Sequence, residues 1–227
     1  ANNTNISGTL QVGLGHSMVY GDDSQYSVAV GEGNIMSANK SLVVGYENTV
    51  YQSSFIAKGG TNSLVVGNGN TLNDPSGIDT KSNCSLVVGV ANEVGGLYSS
   101  AIGNTNTVVG GQAIAFGTQN TASGTYSMAM GYKTDASGVN SMAMGQATTA
   151  EGDNSMAMGS YTTASGVYST AMGFYTSVDG SCSVAMGFRT TTSGDYSMAM
   201  GDRTTASGNW SVAMGDYSTA SGICSVA

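Results

Sequence analysis

The chain has 227 residues, with 34 Gly, a single Pro and only 9% charged residues. Disordered chains are rich in Pro and charge and poor in apolar residues, whereas 40% of this chain is hydrophobic, so we expect it to fold. The 14 acidic and 6 basic residues give a net charge of −8, which argues against a nucleic-acid-binding surface.

Residues 1–26 show no clear repeat, and we predict that they form irregular capping coils. No run approaches the roughly 20 apolar residues needed to cross a bilayer, and no signal-peptide pattern opens the chain. The sequence stops within a repeat, at Ser225-Val226-Ala227. We therefore expect an internal piece of a longer protein, truncated mid-repeat, which makes no membrane contact itself.

From residue 27 to residue 227 a repeat closes each time on the Gly of Ser-x-Ala-x-Gly, which serves as a marker. The marker glycines are Gly31, Gly45, Gly67, Gly89, Gly103, Gly117, Gly131, Gly145, Gly159, Gly173, Gly187, Gly201 and Gly215. From Gly89 onward the marker recurs at every fourteenth position, but the steps from Gly45 to Gly67 and from Gly67 to Gly89 are each longer by just over half a repeat. The longer steps predict loop insertions near residues 46–62 and 68–84.

A second glycine follows seven residues after the marker, as at Gly152 and Gly166. Glycine adopts positive φ at low steric cost, so two per repeat predict two tight corners. We assign the marker glycines as structural turns, most regularly Gly131, Gly145, Gly159, Gly173, Gly187, Gly201 and Gly215. The segments between have strand composition, and a helix would not carry Gly at every seventh position. The repeat predicts an all-β parallel β-solenoid of 14-residue coils, each with two short strands.

Side chains alternate in direction along the strand Ser-x-Ala-x-Gly. We predict that the variable apolar pairs, such as Val28/Val30 and Met128/Met130, form the core of the coil. The central position is always Ala or Val, and a strand that is apolar on both faces is normally buried on both. A 14-residue coil looks too thin to cover this second face, so we predict that it packs between chains. The predicted interface residues are Ala129, Ala143, Ala157, Ala171, Ala185, Ala199 and Ala213.

The repeat Ser-Val-Ala-Met-Gly-x-x-Thr-Thr-Ala-Ser-Gly-x-Tyr resembles the head repeat of trimeric autotransporter adhesins, the YadA-like head family. The closest copies are the segments 140–145 and 154–159, both Asn-Ser-Met-Ala-Met-Gly. The resemblance implies a left-handed parallel β-roll and a homotrimeric fibre segment. It also implies an extracellular, cell-surface head that binds extracellular matrix, host cells or other cells. A phage or viral fibre shaft is left open as an alternative source of such a repeat.

Few residues could carry chemistry. His16 is the only histidine and no nucleophile motif is present, so we expect no enzyme activity, no metal and no cofactor. Cys84, Cys182 and Cys224 share one column of the repeat with Tyr, Asn and Trp residues. We expect a stacked ladder at a corner, with the cysteines as small buried fillers. Cys182 and Cys224 lie three coils apart, which is too far for a disulfide within one chain, whereas bridges between chains are left open.

Threonine pairs such as Thr148/Thr149 and Thr162/Thr163 suggest a second hypothesis, an ice-binding solenoid. Ice binding needs a flat, regular array, but consecutive threonines in a strand point to opposite faces. The column two residues after the marker glycine also carries bulky side chains: Lys133, Tyr161, Tyr175, Arg189 and Arg203. We therefore favour the adhesive fibre over ice binding.

Overall fold

The computed structural model describes residues 10–15, 17–18, 28–37, 41–51, 63–73 and 84–227. It divides the chain into two compact units, Ala1–Gln112 and Ala113–Ala227. In both units a five-residue strand alternates with a strand of two or three residues. Over the described ranges we find no helix long and apolar enough to span a membrane.

The first unit contains two parallel sheets, built from the longer and the shorter strands respectively. The longer strands are β1 (Leu10–Leu14), β3 (Val28–Glu32), β5 (Leu42–Tyr46), β7 (Leu64–Asn68), β9 (Leu86–Val90) and β11 (Ser100–Asn104). The shorter strands are β2 (Ser17–Met18), β4 (Ile35–Ser37), β6 (Thr49–Tyr51), β8 (Thr71–Asn73), β10 (Glu93–Val94) and β12 (Thr107–Val108). The pair β1 and β2 lies within residues 1–26, so a coil precedes the recognisable repeats. Residues 52–62 and 74–83, which include much of the two predicted insertions, lie outside the described residues.

The second unit repeats the same plan without insertions. Its longer strands are β13 (Ile114–Thr118), β15 (Met128–Tyr132), β17 (Met142–Gln146), β19 (Met156–Ser160), β21 (Thr170–Phe174), β23 (Val184–Phe188), β25 (Met198–Asp202) and β27 (Val212–Asp216). Its shorter strands are β14 (Thr121–Ala122), β16 (Asp135–Ala136), β18 (Thr149–Ala150), β20 (Thr163–Ala164), β22 (Ser177–Val178), β24 (Thr191–Thr192), β26 (Thr205–Ala206) and β28 (Thr219–Ala220).

The register is that of a solenoid, because each residue pairs with its equivalent in the next coil. Met128 lies opposite Met142, one repeat further along the chain, and Gly131 lies opposite Gly145. Across the insertions the same pairing of equivalent residues holds over the longer step, as between Leu42 and Leu64. The prediction of a parallel β-solenoid with two short strands per coil is confirmed.

The inside and outside of the coil are the reverse of what the sequence analysis expected. The alanines predicted to lie between chains are completely buried within their own coil: Ala129, Ala143, Ala157, Ala171, Ala185, Ala199 and Ala213. They face the alanines of the shorter strands, and Ala199, Ala206, Ala213 and Ala220 form one such cluster. The larger apolar residues on either side of each alanine point outward and are half-buried or exposed.

The width of the coil explains this reversal. Two strands joined by tight corners leave room between the sheets only for short side chains. In the second unit this interior is mostly Ser, Ala, Thr and Gly, as in Ser155, Ala157, Thr162, Ala164 and Gly166, with Val178 and Asn120 as larger buried exceptions. Rows of methionine do not fit there, and they are placed on the outer face instead.

The corners are also displaced from the glycines. Gly159 has φ +125° but lies inside β19, as the fourth of its five residues. The left-handed residue is Tyr161, two positions later, with φ +55°; we call its column the first corner. Tyr168, with φ +57°, belongs to the equivalent second corner, two residues after Gly166. Both corners therefore carry large side chains in the left-handed conformation.

Close approach between coils explains why glycine recurs. A Cβ on Gly159 would overlap the carbonyl oxygen of Gly173, and a Cβ on Gly152 would overlap that of Gly166. Gly152 does not have positive φ, so in its column the requirement is for space alone.

Candidate functional surfaces of the coils

The outer face of the longer strands is one continuous apolar surface within each unit. The first and third residues of these strands point outward; in the second unit most are methionine, and we call the surface the methionine face. Its outward residues there are Ile114, Phe116, Met128, Met130, Met142, Met144, Met156, Met158, Thr170, Met172, Val184, Met186, Met198, Met200, Val212 and Met214. None is charged, and Phe116 and Met214 are 49% and 53% exposed.

The first corner of the second unit carries a ladder of aromatic and cationic side chains. Tyr161 and Tyr175 stack with ring centroids 4.8 Å apart and planes 5° from parallel. Phe174 and Phe188, at the ends of β21 and β23, stack at 5.5 Å. The ring of Phe174 stands at 86° to that of Tyr175, 4.5 Å away, so the two stacks meet edge to face.

Two arginines continue this ladder. The Arg189 guanidinium lies 5.2 Å from the Phe188 ring and 5.9 Å from the Tyr175 ring. The Arg203 guanidinium lies 5.4 Å from Phe188 and 5.0 Å from the ring of Tyr217, to whose hydroxyl oxygen it donates a hydrogen bond of 2.6 Å. Two cations in successive coils therefore converge on Phe188.

The second corner carries the predicted column of Tyr, Asn, Trp and Cys, and part of it is a ladder. Tyr196 and Trp210 stack at 5.8 Å, and Asn140 donates to the Oδ1 of Asn154 at 3.3 Å. The expectation that the cysteines of this column are buried is wrong, because Cys84, Cys182 and Cys224 are free and exposed. Cys182 and Cys224 occupy left-handed corner positions, with φ +55° and +56°, whose side chains point away from the coil.

A buried asparagine ladder, which the sequence analysis missed, runs through the first unit. Asn34, Asn48, Asn70, Asn92 and Asn106 each follow the marker glycine by three residues. Asn70 Nδ2 donates to Asn48 Oδ1 at 3.0 Å and to the Gly89 carbonyl oxygen at 2.8 Å. Its Oδ1 accepts from the backbone N–H and the Nδ2 of Asn92, at 3.1 and 2.9 Å. The recurrence at one position of the repeat was the available signal.

Threonine takes the same position in the second unit after Asn120. Thr134 Oγ1 donates to Asn120 Oδ1 at 2.7 Å, but the hydroxyls of Thr148, Thr162, Thr176, Thr190 and Thr204 are buried without a hydrogen-bond partner. Thr162 is buried while its neighbour Thr163 faces outward, which confirms that consecutive threonines point to opposite faces.

The acidic side chains form no metal site in the described part of the chain, where no three His, Cys, Asp or Glu residues lie close enough to hold an ion. His16 lies outside the described residues. Asp135 lies in β16, at the outward position of a shorter strand. Burial raises the pKa of its carboxyl, and the negative charge of Glu151 raises it further.

A family model described as the YadA head domain repeat (2 copies) matches residues 95–118, 109–134, 136–162, 150–176, 164–190, 180–204 and 206–227. These overlapping spans cover more than half of the chain. The comparison with curated proteins finds no match to the chain. Heads of this family are homotrimeric, adhesin-type modules of surface fibres. The family match recurs along the region in which the structure shows a regular coil register and a buried alanine column. The chain therefore belongs to the YadA head domain repeat family.

Proposed function

We propose that the chain is a segment of a left-handed, homotrimeric fibre head that displays its corners at the cell surface to bind extracellular matrix, host cells or other cells. The observation that carries this proposal is the uncovered methionine face. Heads of the family form homotrimers, which supplies three copies of the same face.

The methionine face has the properties of an interface between chains. A soluble single chain rarely exposes a long contiguous apolar surface, and such surfaces mark sites of association. In the second unit the outward positions carry no charge, and Thr170 is the single polar residue among them. Three such faces around one axis would form a continuous core.

Methionine suits this role because it is unbranched and flexible. A three-fold axis brings identical side chains together at every coil, and each must pack against copies of itself as well as against different residues in the coils above and below. Methionine adapts to such irregular gaps more easily than β-branched residues do. The alanine column, which the sequence analysis assigned to the interface, cannot serve, because the chain leaves it no exposed surface.

Burial of the methionine face leaves the two corners and the shorter strands to contact a ligand. These surfaces carry most of the charged side chains of the second unit and many of its aromatic ones, including Lys133, Tyr168, Arg189 and Trp210. A fibre head built this way has an apolar axis and a chemically varied exterior. Each coil presents one residue of each corner column, so the exterior can vary without changing the axis.

The substitution Met158→Glu tests the proposal, since it places three carboxylates at the axis. Burying an unpaired carboxylate costs several kcal/mol, so we expect light scattering to give the mass of a trimer for the wild type and of a monomer for the variant. Thr163→Glu is the matched control, because Thr163 faces outward from the shorter strand of the same coil. We expect the control to remain trimeric.

Circular dichroism separates loss of assembly from loss of fold, since a folded monomer keeps its β signal. A monomeric wild type would overturn the proposal. A trimer that persists in Met158→Glu would show that the interface lies on another face.

A further inference from the structure

We propose that the first corner of the second unit binds a linear glycan that carries carboxylate groups. The surface, which we call the corner strip, consists of Lys133, Tyr161, Tyr175, Arg189, Arg203 and Tyr217 together with Phe174 and Phe188. The inference rests on the proposed function in one respect, because it names the ligand class of an adhesive fibre head.

The positive charges of the described residues are concentrated on the corner strip. Lys133, Arg189 and Arg203 are all of the lysines and arginines in the described part of the chain, and all three occupy the first corner. The other three cations of the chain lie outside the described residues, so the clustering in one column holds for all of the described cations. Each cation also lies over an aromatic ring, with Lys133 Nζ 5.3 Å from the Tyr132 centroid.

Only one of the three cations on the corner strip forms an ion pair. Among the described residues the single ion pair joins Arg203 and Asp202, at 3.4 Å. Arg189 packs on the same Phe188 ring as Arg203 but has no carboxylate partner there. The Arg189 guanidinium therefore has no ion-pair partner within the described part of the chain, and a guanidinium binds a carboxylate through two parallel hydrogen bonds.

The corner strip also exposes aromatic rings to solvent. Tyr161 and Tyr175 are 44% and 47% exposed although they stack on each other, and Tyr217 is 65% exposed. The neighbour of Tyr161 on its other side is Ala147, a short side chain in the preceding coil. One face of the Tyr161 ring is therefore open above Ala147, where the apolar face of a sugar ring can pack while the tyrosine hydroxyls bind sugar hydroxyls.

The backbone hydrogen bonds of the corner strip favour a glycan over a peptide as the ligand. Extended peptides often bind by adding a strand to free backbone groups. At the corner strip these groups are already used between coils: the N–H of Tyr175 donates to the Ser160 carbonyl at 3.0 Å, and that of Arg189 to the Phe174 carbonyl at 2.8 Å. These N–H groups are not free to pair with a peptide strand, so recognition falls mainly to side chains, which suits a ligand recognised through hydroxyl and carboxylate groups.

The column geometry and the surrounding charge narrow the ligand further. Successive corner residues lie about 4.8 Å apart along the column, so the strip fits an extended ligand with repeating groups. Asp202 and Asp216, at the ends of β25 and β27, lie beside the arginine end and repel densely charged polymers. A glycan with widely spaced carboxylates is favoured over a heavily sulfated one.

Titration of the whole chain with hyaluronan oligosaccharides, which carry one carboxylate per two sugars, tests the inference. We expect saturable binding that weakens as salt rises, whereas uncharged chitin oligosaccharides of equal length should bind at least tenfold more weakly. Arg189→Gln should weaken hyaluronan binding about tenfold, because a charge-assisted hydrogen bond contributes at least the 1.4 kcal/mol that corresponds to tenfold.

A matched pair of tyrosines controls for non-specific aromatic contacts. Tyr161→Ala should weaken hyaluronan binding several-fold, whereas Tyr168→Ala should leave it unchanged, although both are exposed, left-handed corner residues of neighbouring turns. The inference is overturned by absence of hyaluronan binding, by equal affinity of Arg189→Gln and wild type, or by tighter binding of polyglutamate or heparin.

The strip lies within one chain, so the titration decides the inference whatever the oligomeric state. A trimer that fails to bind hyaluronan contradicts this inference alone. A monomer by light scattering contradicts the proposed assembly alone.

Discussion

The two units have the same coil architecture but differ in the side chains that fill the interior of the coil. In the first unit the interior holds Val43, Val65 and Val87 on the longer strands and a hydrogen-bonded asparagine ladder beside them. In the second unit the same positions hold alanine and, from residue 134 on, threonine or serine, whose hydroxyls largely lack partners. Coil stacking therefore does not depend on one set of interior side chains.

This difference separates the contribution of the backbone hydrogen bonds from that of the interior side chains. The backbone hydrogen bonds between coils are common to both units, so they set the fold. The asparagine ladder adds side-chain bonds that cross the irregular steps, since Asn70 bonds to both Asn48 and Asn92 across the two insertions. The ladder thus stabilises the register in the unit that contains insertions, and the regular unit keeps its register without it.

The largest expected effect breaks the feature that the units share. Gly67→Ala and Gly159→Ala should each destabilise the chain by on the order of 3 kcal/mol or more, because strain at positive φ and overpacking each cost about 1–3 kcal/mol. A Cβ at either site overlaps the backbone of the next coil. Urea denaturation measures the loss.

Gly69→Ala is the control for this pair. Gly69 has φ +61°, but a Cβ there meets nothing within 4 Å, and other coils hold Glu47 or Ala91 at this corner. We expect a loss of roughly 1–2 kcal/mol or less. Equal losses at Gly67 and Gly69 would contradict close approach as the reason for the marker glycine.

The next effect separates the units. Asn70→Thr converts one rung of the ladder to the residue type of the second unit. The new hydroxyl can donate to Asn48 Oδ1, as Thr134 does to Asn120, but the Gly89 carbonyl oxygen loses the Asn70 Nδ2 and the Asn92 N–H loses the Asn70 Oδ1. An unsatisfied buried polar group costs about 1–3 kcal/mol, so we expect a loss within that range in urea denaturation. A loss below about 0.5 kcal/mol would mean that the ladder does not stabilise the coil.

Thr162→Val is the counterpart in the second unit. It keeps the shape of the side chain and removes a buried hydroxyl that has no hydrogen-bond partner. Such a replacement is nearly neutral or stabilising, so we expect a change in unfolding free energy between 0 and about +1 kcal/mol. A clear destabilisation would show that the threonine hydroxyls are bonded in solution.

The smallest effect concerns Asp135, the acid at the outward position of a shorter strand in the second unit. The pKa of Asp135 is higher in the folded chain than in the unfolded chain, so the folded state binds the proton more tightly. Stability is therefore greatest below the ordinary pKa of about 3.8 and falls as pH rises through the raised value. Asp135→Asn should raise the melting temperature at pH 7 but not at pH 3.

Glu93→Gln provides the comparison from the first unit. Glu93 holds the same strand position in β10 and is exposed, and exposed substitutions usually change stability by less than about 0.5 kcal/mol. An equal gain at pH 7 from Glu93→Gln would remove burial of Asp135 as the cause.

The sequence predicts the period, the strands and their pairing because the marker glycines recur at fixed spacing. It does not predict which face is inside, since alternation along Met156-Ala157-Met158 defines two faces without assigning either to the interior. That assignment depends on the distance between the two sheets, which accommodates alanine, valine, threonine and asparagine but not rows of methionine. The corners were misplaced for a related reason: Tyr161 tolerates the left-handed conformation, whereas Gly159 is required for space.

The constant length of the coils in the second unit has a consequence for how such a gene can change. Deletion of one whole repeat, such as residues 142–155, places Met156 opposite Met128, and duplication of that repeat adds one equivalent coil, so every column stays aligned. An insertion or deletion of one residue within a strand moves outward residues to the interior, whereas the longer steps of the first unit leave the columns aligned. Fibre length can therefore drift by whole coils between related strains while selection acts on the identity of single corner residues.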